Sequence, residues 1–83
     1  MKKINIYNVE VMVGEPVVRY NDAELLGLAK AKQYKMGDFS PEKTMEVEDD
    51  IAAKRVSLVF VQNVDSHHAS VTWAEYANEE DDA

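Results

Sequence analysis

The sequence predicts an α+β fold: an antiparallel sheet of about four strands, in the order β-β-α-α-β-β, with two helices packed on one face. Three observations predict it. Runs rich in Ile, Val, Phe and Trp near both ends of the chain have strand character. Two stretches between them carry helix caps and helical spacing. The 83 residues suit one domain, placed at residues 1–76, with a frayed acidic tail over 77–83.

Each element follows from its residues. "KINIYNVEVMV" at 3–13 reads as a strand. Ile4 and Ile6 share one face, whereas Tyr7, Val9, Val11 and Val13 share the other. That switch of apolar phase implies either a bulge or burial on both faces. "GEP" at 14–16 is a turn signal, and "VVRY" at 17–20 then reads as the second strand of a hairpin. The helix at 22–36 has readable ends. Asn21 is the N-cap and Glu24 its capping-box partner, Gly37 is placed to stop it, and Lys30, Lys32 and Lys35 suit its C-terminal half. Leu25, Leu26, Ala29, Gln33 and Met36 fall on one side.

Ser40 as N-cap and Pro41 at the first position predict a second helix over 41–54. On it Glu42, Glu46, Asp49 and Asp50 share one face, Thr44, Val47 and Ile51 face the other way, and Glu48 sits at the apolar margin. "TMEVED" also alternates as a strand, with Met45 and Val47 on one side. "RVSLVFVQ" at 55–62 is apolar on both faces and reads as a central strand. "ASVTWAEY" at 69–76 alternates and reads as its hairpin partner, nearer an edge. "NVDSHH" between them reads as a loop.

Charge narrows the function classes. Sixteen acids against nine bases give a net charge of −7. The residues after Arg55 hold six of those acids and no Lys or Arg. A chain this acidic is repelled by nucleic acid and by anionic membranes and is drawn to basic surfaces. No window approaches the ~20 apolar residues of a membrane-spanning helix, and Asn5, Asn8 and Glu10 interrupt any signal-peptide core. The absence of cysteine fits a reducing compartment, so a cytoplasmic location is expected, and it removes thiolate metal sites and Cys nucleophiles. No P-loop or dinucleotide fingerprint is present, and three glycines leave little for phosphate cradling.

The acidic stretch "MEVEDD" carries the main functional expectation. On a helix, Glu42–Glu46 and Glu46–Asp50 are like-charge pairs, each destabilising by roughly 0.2–0.5 kcal/mol. Asp49 and Asp50 would lie in the unfavourable half of its dipole. A face serving solubility alone would mix Lys with Glu. Carboxylates one turn apart, roughly 5–6 Å, can instead engage Arg and Lys groups built for phosphates. The expected partner-binding residues are therefore Glu42, Glu46, Glu48, Asp49 and Asp50, with Glu79, Glu80, Asp81 and Asp82 extending the stripe. A dedicated metal site is not expected, because "EVEDD" lacks the order of a calcium loop. No cofactor is expected either.

"DSHH" at 65–68 raises two further ideas, a metal held by Asp65 and the histidines or a Ser66–His67 catalytic pair, against plain polar turn residues. No glycine-rich turn flanks Ser66 to supply an oxyanion hole. Trp73 is read as a core anchor, with an interface hot spot as the alternative.

In size, net charge, αβ build and acidic helix with an acidic tail, the chain resembles the small acidic inhibitors of bacteriophages and mobile elements. These are DNA mimics and anti-defence proteins, anti-CRISPR proteins among them. The resemblance rests on no diagnostic motif. It implies a non-enzymatic protein that occupies the basic nucleic-acid-binding surface of a partner: a nucleoid protein, a nuclease, a CRISPR effector or a polymerase. The alternative is a structural or assembly module that pairs through a strand edge or apolar patch, homodimers included, with the acids serving solubility.

Overall fold

The computed structural model describes residues 1–36 and 41–77, and for Met36 the backbone only. Strand β1 (Lys2–Met12) is followed by a 3-10 turn (Val17–Arg19), helix α1 (Asp22–Met36), strand β2 (Lys43–Val47), helix α2 (Asp49–Val56), and strands β3 (Val59–Asp65) and β4 (His68–Tyr76). The four strands form one antiparallel sheet in the order β2-β1-β4-β3, so the fold is α+β as the sequence predicts.

The order of elements differs from expectation in two places. Residues 17–20 are not a second strand. β2 occupies the second edge of β1 only from Lys2 to Ile6, and residues 17–20 do not pair with the remainder of that edge but turn toward the β3–β4 hairpin. Pro16 instead leads into the 3-10 turn, and the Val17 N–H donates to the Ser66 carbonyl at 2.7 Å. Val17 is buried. Residues 41–54 are not one helix. The strand alternation of Met45 and Val47 prevails over 43–47, and α2 begins only at Asp49. The free edge of β1 decides this: the Glu42 N–H donates to the Ile6 carbonyl at 2.7 Å, and β2 then pairs from Ile6↔Lys43 to Lys2↔Val47. Ser40, expected as the cap of the longer helix, and Gly37, expected to stop α1, lie outside the described residues.

The two helices lie on opposite faces of the sheet, not on one. Directly opposed residues of an antiparallel pair share a face, so Tyr7, Val9 and Val11 lie beside Trp73, Val71 and Ala69. α1 covers this face, burying Leu25 and Ala29 in the same cluster. Ile4 and Ile6 point the other way with Ala74 and Met45, where Ala52 of α2 covers them. The phase switch at Tyr7 is thus burial on both faces, and the β1–β4 register runs without a shift from Ile4↔Tyr76 to Met12↔His68. Seen along β1, each helix takes one half of the strand.

β3 and β4 exchange the places expected of them. β4 is interior, between β1 and β3, and β3 is an edge. β4 carries the largest buried side chain of its face, Trp73, which stacks on Tyr7 with ring centroids 5.4 Å apart and donates from Nε1 to Glu75 Oε2 at 2.9 Å.

α1 begins where the sequence places it. The Glu24 N–H donates to Asn21 Oδ1 at 2.8 Å, and the Asn21 N–H donates to Glu24 Oε1 at 2.9 Å, the reciprocal capping box. Asn21→Ala should cost about 1 kcal/mol and lower the melting temperature by roughly 4–8 °C. Thermal unfolding followed by circular dichroism checks this, and an unchanged midpoint would show that the cap carries no stability.

Candidate interaction surface

The five acids of the β2–α2 stretch do not form a helical stripe. Glu42 precedes β2, Glu46 lies within it, Glu48 immediately precedes α2, and Asp49 and Asp50 occupy the first turn of α2. All five are exposed. Glu42 and Glu46 are four steps apart along extended chain, roughly 13 Å, so their mutual repulsion is small. Glu46 stands directly opposite Lys3 on β1, where opposite charges attract across the pair. Asp49 and Asp50 now sit at the end of a helix where its dipole favours anions. Asp50 Oδ1 accepts the Ile51 N–H at 2.9 Å, and Asp49 Oδ1 lies 3.4 Å from the Met1 nitrogen. Glu46, Asp49 and Asp50 thus each have a local structural reason that the single-helix reading denied them.

The charge is also unevenly placed. Asp38, Glu79, Glu80, Asp81 and Asp82 lie outside the described residues, leaving eleven acids there against nine bases. The four tail positions expected to extend the binding stripe are therefore given no structural account.

The Asp65–His68 segment closes the β3–β4 hairpin. Asp65 Oδ1 accepts the His67 N–H at 2.9 Å, and Ser66 Oγ lies 3.0 Å from His67 Nδ1. Asp65 therefore holds the His67 backbone, not its ring. The same turn receives the start of the α1 connection: the Val13 N–H donates to the His67 carbonyl at 2.9 Å, beside the bond from Val17 to Ser66. His68 turns onto the sheet face, with Nε2 3.1 Å from Glu10 Oε1 and Nδ1 3.9 Å from Asp65 Oδ2. Among the described residues no group of three or more His, Asp or Glu side chains is arranged to hold a metal ion.

The feature that the sequence reading placed wrongly is β3. Among the described residues no strand pairs with its outer edge. From Val59 to Val64 it carries no charge, whereas the opposite edge of the sheet, β2, carries Lys43 and Glu46 and is flanked by Glu42 and Glu48. Charged side chains on an edge are how sheets discourage further pairing; β3 lacks that protection. Apolar surface adjoins it. α2 covers only the Ile4–Ile6 half of its face, so Phe60 is 60 % exposed and Leu58 48 %. Ile6, Leu58, Phe60 and Ala74, with Arg55 at the rim, line a shallow recess of about 80 Å³. That is far below the roughly 300–1,000 Å³ of small-molecule sites and suits a single protruding side chain. Farther along the same face the surface becomes polar, where Asn8 Nδ2 donates to Ser70 Oγ at 2.9 Å and Thr72 Oγ1 at 2.7 Å.

Val59 and Val61 of β3 pack against the α1-side cluster, whereas Phe60 on the other face is left exposed. Among the described residues no helix is long and apolar enough to cross a membrane. Comparisons with protein-family models, with characterised proteins and with solved structures give no match.

Proposed function

We propose that this chain is a non-enzymatic protein-binding module that works through the outer edge of β3 and the apolar patch beside it. One observation carries the reading: a strand edge unpaired among the described residues, and uncharged from Val59 to Val64, borders exposed Phe60 and Leu58. Unpaired N–H and C=O groups supply the bonds of an added strand, and the neighbouring recess supplies a place for its side chain. The acids then keep the molecule soluble and bias it toward basic partners.

A second reading has its own support, because Glu42, Glu46, Glu48, Asp49 and Asp50 are all exposed. In it, these carboxylates present phosphate-like charge to a basic nucleic-acid-binding protein of the cytoplasm, as an inhibitor of phage or anti-CRISPR type would. Salt separates the two readings, since ion-pair binding weakens with ionic strength and strand addition does not. Affinity capture at low and high salt should retain a partner that Phe60→Asp loses and that the Glu46→Lys/Asp50→Lys pair keeps. A partner released by salt and lost in the double charge reversal would replace the first reading by the second.

A further inference from the structure

We propose that the partner of the β3 edge is a second copy of this chain, paired antiparallel through β3 about a twofold axis near Val61. The two four-stranded sheets then form one sheet of eight. The inference rests on the strand-edge reading above and deepens it by naming the occupant.

Three observations favour a self-complementary partner. The first is that β3 begins with apolar Val59, Phe60 and Val61 at an edge that no strand among the described residues covers; a second β3 gives it a neighbour. The second is charge. Twofold pairing sets each residue against residues of an identical strand, so like charges near the axis would face one another. β3 has none between Val59 and Val64. The first charge beyond is Asp65, and antiparallel pairing carries it toward the other end of the partner strand, where exposed Arg55 closes α2. Opposite charges therefore meet at both ends of the seam.

The third observation is the register. β3 pairs regularly with β4 from Val59 to Asn63, and the register shifts between Asn63 and Asp65. The regular run is centred on Val61. Pairing about that residue sets Val59 opposite Asn63 and Phe60 opposite Gln62 of the other copy. Opposed residues share a face, so both Phe60 rings lie on the uncovered side, diagonal neighbours roughly 7–8 Å apart. Each then shields exposed ring surface of the other. The seam is short, so the association should be weak and concentration-dependent.

Gln62 provides the test, because it is exposed and sits beside the axis. Sedimentation velocity of the full chain, from micromolar to millimolar concentration, should show a monomer–dimer equilibrium that raised salt does not abolish. Gln62→Glu and Gln62→Lys should each weaken it by roughly tenfold, since a charge of either sign meets its own copy. Thr44→Lys on the β2 edge should leave it unchanged. Circular dichroism confirms that each variant is folded. If Gln62→Glu and Gln62→Lys shift self-association in opposite directions, Gln62 does not face its own copy and pairing through β3 about Val61 is overturned. A wild-type chain that stays monomeric throughout also overturns self-pairing. If capture of a protein partner still depends on Phe60 in that case, the strand-edge reading stands without it; if capture is also unaffected by Phe60→Asp, both fall.

Discussion

Trp73→Ala should remove roughly 3–5 kcal/mol of stability. The side chain is 4 % exposed, stacks on Tyr7, and lies in the α1-side cluster with Val9, Val71, Leu25 and Ala29. A chain of 83 residues has on the order of 4–12 kcal/mol in all, so the variant should be marginal or unfolded at room temperature. Urea unfolding must be followed by far-ultraviolet circular dichroism, because Trp73 is the only tryptophan and its fluorescence is lost with it. Trp73→Phe retains a ring to stack on Tyr7 and leaves Glu75 without the indole donor, so it should cost distinctly less. A loss below about 1 kcal/mol for the alanine variant would mean that Trp73 does not anchor this core.

The second large effect is expected on the other side of the sheet. Ile4 is fully buried against Ala52 and Ala74, with Ile6, Met45, Val47 and Val56 around it. Ile4→Ala should cost roughly 2–5 kcal/mol, and its consequences should be local as well as global. α2 has only eight residues, too few to persist alone in water, so its attachment depends on this cluster. Hydrogen exchange of the α2 amides should therefore accelerate beyond the change in overall stability. Leu25→Ala, on the α1 face, should not produce that excess. Equal acceleration in α1 and α2 for both variants would show that the two clusters do not act as separate attachments.

These two sites illustrate what the sequence could reveal. α1 was legible because its signals are local: the Asn21–Glu24 box, and Leu25 and Ala29 at helical spacing. The strands β1 and β4 were legible from their periodicity, and Trp73 from its place in that period. The β2–α2 stretch was not, because "TMEV" satisfies either period and the deciding partner, the free edge of β1, is some forty positions away in the chain. The acidic stripe failed with it, since its geometry existed only on the helix. Helix placement was hidden for a related reason. The phase switch in β1 implied burial on both faces, yet nothing local says which helix covers which half. The edge position of β3 was hidden as well: residues 55–62 read as apolar on both faces, yet Val59 and Val61 pack against the α1-side cluster and Phe60 is left exposed.

The sheet order has a kinetic consequence. β1 pairs with a strand that is synthesised long after it: Tyr7 opposes Trp73, and Ile4 opposes Tyr76. At ordinary rates of synthesis the interval is on the order of several seconds. Until β4 emerges, an Ile- and Val-rich segment has no strand beside it on that edge, and closing so long a loop is slow. A nascent chain stalled before His68 should therefore be sticky, and protection of β1 should appear as one late step rather than by growth from the N-terminus.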